Sequence, residues 1–127
     1  MAAPGSDPHL PRPAPIDSYG NGGFRFAGMS HRGSLLCLPD GIWAWPVTDL
    51  AGLTRAALEP VFARADGLDI FLIGAGRNPW VLPENVRRQF HDRSISVDAM
   101  TTAAALRTWN VLVAEGRRAG AGLIAVD

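Results

Sequence analysis

The sequence lacks both an excess of charge and any long apolar run, and each absence excludes a class of protein. Its 12 basic residues, all of them arginines, balance 12 acidic residues for a formal net charge of zero. A domain that binds nucleic acid usually carries a basic excess to neutralise phosphates, so we expect no nucleic-acid partner. No apolar stretch approaches the roughly 20 residues that a membrane-spanning helix needs, so we expect no membrane span.

Cysteine is nearly absent, which excludes an intramolecular disulfide and any metal site built from several cysteines. The one cysteine, Cys37, lies in an apolar run from Leu35 to Leu38, and a buried small hydrophobic residue is expected there. The N-terminus also lacks a basic segment followed by an apolar one, so no secretory signal is expected. These features predict a cytoplasmic protein, with peripheral association at the inner membrane only through a partner.

A chain of 127 residues has room for one domain. Residues 1–13 contain four prolines and little that can pack, so they are predicted to form a disordered N-terminal tail. Residues 14–127 are then a single α/β domain. Its first part indicates a meander of short strands, at residues 24–26, 34–38 and 42–45, with turns at 20–23 and 30–33. Asp40-Gly41 is a hairpin signal between the last two strands.

From Thr48 onward the pattern alternates between helix and strand. Thr48 or Asp49 is expected to cap a helix that Pro60 kinks or divides. Residues 69–74 form an apolar run typical of a strand buried on both faces. A helix after Pro83, a strand at 94–97, a helix from Thr101 to about Ala119 and a strand at 123–126 follow, with Gly120 and Gly122 ending the last helix. The fold class is therefore α/β, with three layers, a mixed and mostly parallel central sheet of about five strands, an N-terminal β-meander and helices packed on the sheet.

One edge of the predicted sheet is a candidate ligand site. Gly74, Gly76 and Arg77 directly follow a buried strand, and Thr101 and Thr102 follow the next strand at the start of a helix. Ligands of open α/β sheets bind beyond the carboxyl ends of the strands, and a helix N-terminus attracts anions. Asn110, which is polar beside the apolar stripe of the last helix, is assigned to the same site. A tight turn followed by a helix cap explains the same residues without a ligand.

Catalytic motifs are mostly missing from the sequence. It has no zinc-protease motif, no nucleophile elbow and no phosphate-binding lysine, and its three histidines are far apart. We therefore assign no catalytic residue, no metal site and no cofactor. Trp80, which follows Arg77, Asn78 and Pro79, is a candidate for an interaction surface together with Arg77, because tryptophan and arginine are typical anchors of interfaces.

Three blocks of the sequence carry a family resemblance. They are Ile16-Asp17-Ser18-Tyr19-Gly20 with Phe24-Arg25-Phe26, Gly33-Ser34-Leu35-Leu36 and Leu38-Pro39-Asp40-Gly41; Leu72-Ile73-Gly74-Ala75-Gly76; and Val97-Asp98-Ala99-Met100-Thr101-Thr102 with Ala104-Ala105, Arg107-Thr108-Trp109-Asn110-Val111-Leu112 and Glu115-Gly116-Arg117-Arg118. The chain resembles the small-domain family that includes mitochondrial complex I (NADH dehydrogenase) assembly factor 3 and many uncharacterised bacterial and archaeal proteins. Trp109 departs from the family, which commonly has tyrosine there.

The resemblance implies a three-layer fold with a mixed five-stranded sheet. For the mitochondrial branch it also implies a non-enzymatic helper in assembling the quinone-reducing part of complex I. Two functions are therefore expected. The first is a non-enzymatic binding or assembly module for respiratory complex I or another membrane-associated complex, with protein partners. The alternative is a small-molecule anion-binding protein or an unrecognised enzyme that uses the edge from Gly74 to Arg77 and Thr101.

Overall fold

Apolar runs and alternating segments become eight strands and three helices in the computed structural model, which describes residues 7–127. Residues 1–6 of the predicted tail lie outside the described residues. The strands are β1 (Ser18–Gly20), β2 (Gly23–Phe26), β3 (Met29–Arg32), β4 (Ser34–Leu38), β5 (Gly41–Trp45), β6 (Ile70–Gly74), β7 (Ser96–Met100) and β8 (Ala119–Leu123), and the helices are α1 (Arg55–Phe62), α2 (Glu84–His91) and α3 (Thr102–Ala114).

The central sheet has five strands in the order β5-β4-β8-β6-β7. Strand β8 pairs with β6 in parallel, as β6 does with β7, whereas β4 pairs with both β5 and β8 in antiparallel fashion. The predicted mixed sheet is confirmed, with its pairings divided evenly between the two directions. The antiparallel half arises because β4 and β5 form the hairpin that Asp40-Gly41 predicts.

Both faces of the sheet are covered, which gives the predicted three layers. Alternate residues of each strand point to opposite faces. Leu36 and Leu38 of β4 pack with α1 and α2 on one face, and Leu35 and Cys37 pack with α3 on the other. Strand β4 is therefore buried from end to end, as a strand between two layers must be.

The N-terminal strands form a second, smaller sheet of three antiparallel strands in the order β1-β2-β3. Phe24 and Phe26 of β2 are buried in the same cluster as α3, so this sheet covers the central one. Strand β3 occupies residues that the sequence predicted as a turn. Because it is only four residues long and lies between glycines, the sequence gives little strand signal there.

The segment before β1 is fixed to the domain by hydrogen bonds. Trp109 Nε1 of α3 donates to Ala14 O at 3.0 Å. Further upstream, the amide of Ile42 on the edge strand β5 donates to Leu10 O at 2.9 Å, and the His9 amide donates to Ile42 O at the same distance. The described part of the predicted tail thus covers part of the β5 edge, which would otherwise present unpaired backbone groups.

Two predicted boundaries are wrong. Helix α3 ends at Ala114 rather than near Ala119, because Gly116 adopts a positive φ of 68° that ends the helix. Gly120 and Gly122, predicted to end the helix, lie instead in β8. A Cβ on Gly122 would lie 2.4 Å from Trp45, so this glycine makes room for an indole ring in the core.

The helix expected from Thr48 is also divided. Asp49 caps a short 3₁₀ turn at Leu50–Gly52, and Thr54 caps α1 by accepting a hydrogen bond from the Ala57 amide. Pro60 lies inside α1, where Arg64 Nη1 donates to its carbonyl at 3.0 Å.

Candidate functional site

Five of the residues predicted to bind a ligand lie at the carboxyl ends of β6 and β7. We call the group Gly74, Gly76, Arg77, Thr101 and Thr102 the carboxyl edge. Gly74 ends β6, and Thr101 and Thr102 begin α3 directly after β7. The amide of Thr102 donates to Gly76 O at 2.8 Å, which joins the two loops. The structure thus brings the loop after β6 and the start of α3 side by side.

Thr102 occupies the centre of the edge and is fully buried. Its hydroxyl donates to Ile124 O at 2.7 Å and accepts from the Gly76 amide at 3.0 Å. A buried hydroxyl must find partners, since an unpaired one costs free energy. Here both partners are main-chain groups of the protein itself, so Thr102 joins the loop after β6 to the segment after β8.

The start of α3 likewise has internal partners. Thr101 Oγ1 accepts from the Ala104 amide at 3.2 Å, as an N-cap does. With the Thr102 amide also bonded to Gly76 O, two of the donors that an anion at this helix end would use already have protein acceptors. The turn-and-cap interpretation therefore accounts for these two threonines.

Gly74 and Gly76 are required by the fold for different reasons. A Cβ on Gly74 would lie 3.0 Å from the Thr102 Cα and 3.2 Å from the Ala105 Cβ, so its absence lets α3 pack closely on β6. Gly76 has φ of +99°, a conformation that favours glycine. A Cβ there would meet nothing within 4 Å.

Arg77 is the part of the carboxyl edge that is open to solvent. Its side chain is exposed, and Nη2 donates to the main-chain oxygen of Asp127. Shallow depressions of about 470 Å³ and about 190 Å³ flank it, and Tyr19 lines the smaller one. A ligand-binding role for the edge stays a prediction, and Arg77 is the side chain there with room to meet a ligand.

Asn110 does not belong to this edge, so that assignment was wrong. Its side chain accepts from the Ile16 amide at 2.8 Å and donates to Ile16 O at 2.9 Å. Eight residues of helix separate it from Thr102, which is about 12 Å along the axis. Asn110 was assigned by its polarity alone, and it serves to fix the segment that leads into β1.

The predicted interaction surface is also only partly exposed. Trp80 packs in part against the core cluster of α1 and α2, whereas Val81 beside it is 89% exposed. Tyr19 is 43% exposed and was not singled out from the sequence. The sequence does not show whether an aromatic residue in a short strand is exposed, because its burial depends on which other elements cover the strand.

Among the histidines and the cysteine, two pKa values depart from their ordinary ranges. Burial raises the pKa of the Cys37 thiol, which supports the expected inert, buried side chain. Burial, together with the nearby His9, lowers the pKa of His31, although its hydrogen bond to Ser34 O opposes this. The two imidazole rings lie 4.9 Å apart.

Four ion pairs lie on the surface outside this region. Arg118 donates to both carboxylate oxygens of Asp69, at 2.7 and 3.2 Å, which lowers the pKa of that carboxyl. Within the described range, residues 7–127, no group of three or more histidine, cysteine or acidic side chains is placed to hold a metal ion. Each helix in that range is too short or too polar to span a lipid bilayer.

Comparison with known proteins places this domain in a family. A family model described as "Protein of unknown function (DUF498/DUF598)" matches residues 16–124. The chain belongs to this family. An uncharacterised protein of Rhodobacter capsulatus is 39% identical over 111 residues, which cover 87% of this chain and 83% of that protein.

The predicted resemblance is confirmed by curated relatives. NADH dehydrogenase (ubiquinone) 1 alpha subcomplex assembly factor 3 of mouse is 30% identical over 115 residues, or 91% of this chain. The match spans 62% of the mouse protein's length, so that relative has a further segment outside it.

Solved structures confirm the fold. A protein of Bartonella henselae described as an outer membrane protein superposes with a TM-score of 0.89 at 47% identity, covering 94% of this chain and all of that one. A Mth938-like domain of Bordetella pertussis gives a TM-score of 0.77 at 25% identity, covering 94% of this chain and 89% of that one.

Proposed function

We propose that this protein is a non-enzymatic binding module that assists the assembly of respiratory complex I. The observation that carries the proposal is the match to the mouse assembly factor, which extends over 91% of this chain. The shared part is thus the whole α/β domain rather than a short motif. Such a role requires that the domain bind a partner protein.

The geometry of the carboxyl edge supports the binding of a protein over the conversion of a small substrate. Thr102 and the start of α3 use their hydrogen bonds to hold loops together. A site for a small substrate usually offers several converging polar groups in a deep cleft. Here the depressions beside Arg77 are shallow, and Arg77 is the exposed cation between them.

The surface around Arg77 has the composition of a protein interface. Arg77 and Tyr19 line the same depression. Val81, in the loop that follows Arg77, is also exposed. Tyrosine and arginine are enriched among the residues that dominate binding energy at interfaces. We therefore assign the interaction surface to Arg77, Tyr19 and Val81, with Trp80 supporting the loop from beneath.

Affinity capture with matched variants tests the proposal. Tagged protein is crosslinked in its native cells, membranes included, and the captured proteins are identified by mass spectrometry. Complex I subunits are expected to be enriched with the wild type and reduced severalfold with Arg77→Ala or Val81→Asp. The control is Val111→Asp, because Val111 is an exposed valine, at 55%, on α3.

Two results would count against the proposal. If no complex I subunit were captured above background, the proposed assembly role would be contradicted. Equal loss with Val81→Asp and Val111→Asp would mean that an added charge anywhere disrupts capture, and the interaction surface would have to be sought elsewhere.

A further inference from the structure

The small sheet presents a cationic outer face to solvent. The antiparallel register places Ser18 opposite Arg25 and Arg25 opposite Ser30, while Gly23 stands opposite both Gly20 and Arg32. Because directly opposite and alternate residues share a face, these residues all lie on the face of the sheet away from Phe24 and Phe26. We call this set the outer face: it consists of Ser18, Gly20, Gly23, Arg25, Ser30 and Arg32.

All six residues of the outer face line one depression of about 400 Å³. Gly20 and Gly23 lie side by side in its floor, so no side chain rises between Arg32 and the edge of β1. Gly23 admits no other residue, because a Cβ there would lie 2.2 Å from the His31 carbonyl oxygen. A Cβ on Gly20, by contrast, would meet nothing within 4 Å, so an extended chain can approach the backbone at Gly20.

The two arginines of the outer face carry uncompensated charge. Within residues 7–127, neither Arg25 nor Arg32 forms an ion pair or a side-chain hydrogen bond. They are diagonal neighbours on one face, and like charges so placed repel each other. Four other arginines, by contrast, pair with carboxylates. An anionic partner would relieve the repulsion and complete the face.

Spacing favours an acidic extended segment as that partner. Diagonal neighbours on a sheet lie about 7–8 Å apart. Carboxylates on alternate residues of an extended chain lie about 6.7 Å apart and point the same way, so each can meet one guanidinium in a charge-assisted pair. Ser18 and Ser30, one on each side of Arg25, add hydroxyl groups that can bond to the backbone of such a segment.

The outer face is continuous with the surface of the proposed function, because Tyr19 lines both its depression and the one beside Arg77. We propose that the outer face binds an extended acidic segment of the partner protein, with alternate carboxylates paired to Arg25 and Arg32. This inference rests on the proposed function as a protein-binding module, and it supplies the chemistry of the partner.

A peptide titration tests the inference without the partner. A six-residue peptide of alternating threonine and glutamate is added to the full chain while backbone amide signals are followed by NMR. The signals of residues 18–32 are expected to shift, and the affinity is expected to fall about tenfold in the double variant Arg25→Gln/Arg32→Gln. The matched control is Arg88→Gln/Arg107→Gln, which removes two exposed arginines from α2 and α3.

Two control peptides define the chemistry. Replacing glutamate by glutamine should abolish the shifts. Grouping the three glutamates in succession should weaken them, because neighbouring side chains of an extended chain point to opposite faces. A charge swap guards against unfolding: Arg25→Glu/Arg32→Glu should lose the acidic peptide and gain a peptide of alternating threonine and arginine.

Three results would overturn the inference. They are the absence of shifts in residues 18–32 at millimolar peptide, equal binding of the glutamine peptide, and tighter binding of inorganic phosphate or of phosphatidylglycerol vesicles than of the acidic peptide. The last would identify a phosphate site instead. None of them affects capture of complex I subunits through Arg77 and Val81, so the failures of the two proposals are distinguishable.

Discussion

The carboxyl edge and the outer face of the small sheet both combine glycines with polar side chains, yet they use them differently. At the carboxyl edge, Thr101 and Thr102 bond to main-chain groups that hold loops together. On the outer face, Arg25 and Arg32 have no such partner within the described part of the chain. Polar residues beside glycines therefore indicate a binding surface only where their hydrogen bonds and charges remain to be satisfied.

The largest effect is expected from removing the Thr102 hydroxyl. Thr102→Val keeps the shape but leaves the Gly76 amide and the Ile124 carbonyl without their partner. The free energy of unfolding should fall by about 2–4 kcal/mol, as measured by chemical denaturation. If instead Thr102→Val left stability unchanged, the carboxyl edge would not be the structural junction described above.

A control for this variant lies on the same helix. Thr108 Oγ1 donates to Ala104 O one turn back, so Thr108→Val removes a local bond and should cost less than about 1 kcal/mol. The contrast between the two threonines separates a junction between loops from an ordinary helical hydroxyl.

A smaller effect is expected at Asn110, which the sequence assigned to the wrong region. Asn110→Ala removes both hydrogen bonds to Ile16 and should lower the free energy of unfolding by about 1–2 kcal/mol. Hydrogen exchange of the Ile16 amide should become faster, while the Gly76 amide stays protected. Val111→Ala, at an exposed neighbouring position, is the control and should change neither amide.

The second half of the fold was largely predictable because its signals are local. The apolar run that became β6 and the three- and four-residue spacing of Ala105, Leu106, Trp109 and Leu112 on α3 need no knowledge of distant residues. The role of Gly122 depends instead on Trp45, 77 positions away in the chain and in contact only after folding.

The position of the candidate site was predictable from the sequence, but the contacts that its side chains make were not. Chain order alone brings the loops after β6 and β7 to one edge. Whether Thr102 faces a ligand or the segment after β8 depends on tertiary contacts that no sequence pattern encodes. The outer face escaped notice because β3 was predicted as a turn, so Arg32 was not seen to share a face with Arg25.

A moderate effect of pH is expected near the small sheet. Because the pKa of His31 is lowered from its ordinary 6.5 in the folded state, the unfolded chain binds the proton more readily. Stability from this group is complete above about pH 6.5 and decreases as the pH falls below that value. Denaturation at a series of pH values should show the decrease in the wild type.

Two variants separate His31 from the other histidines. His31→Gln should reduce the loss of stability on acidification, whereas His91→Gln, at an exposed position on α2, should retain it. An unchanged pH profile in His31→Gln would mean that burial of this imidazole does not contribute to the acid sensitivity.

The smallest effect on stability is expected on the outer face. Arg25→Gln/Arg32→Gln removes two exposed charges that repel each other, so the free energy of unfolding should stay within about 0.5 kcal/mol of the wild type. The affinity for the acidic peptide should nevertheless fall about tenfold. A large loss of stability would show that these arginines serve the fold, as Thr102 does, and the contrast between the two regions would fail.

We propose that this domain acts by binding a partner during complex I assembly, and deletion of its gene tests that proposal. The gene is deleted in its native cells, and assembled complex I is quantified on native gels alongside the transcripts of its subunits. The amount of assembled complex I should fall while the transcripts stay unchanged. The wild type and Val111→Asp should restore the complex, whereas Val81→Asp should not. Normal complex I in the deleted strain would contradict the proposal.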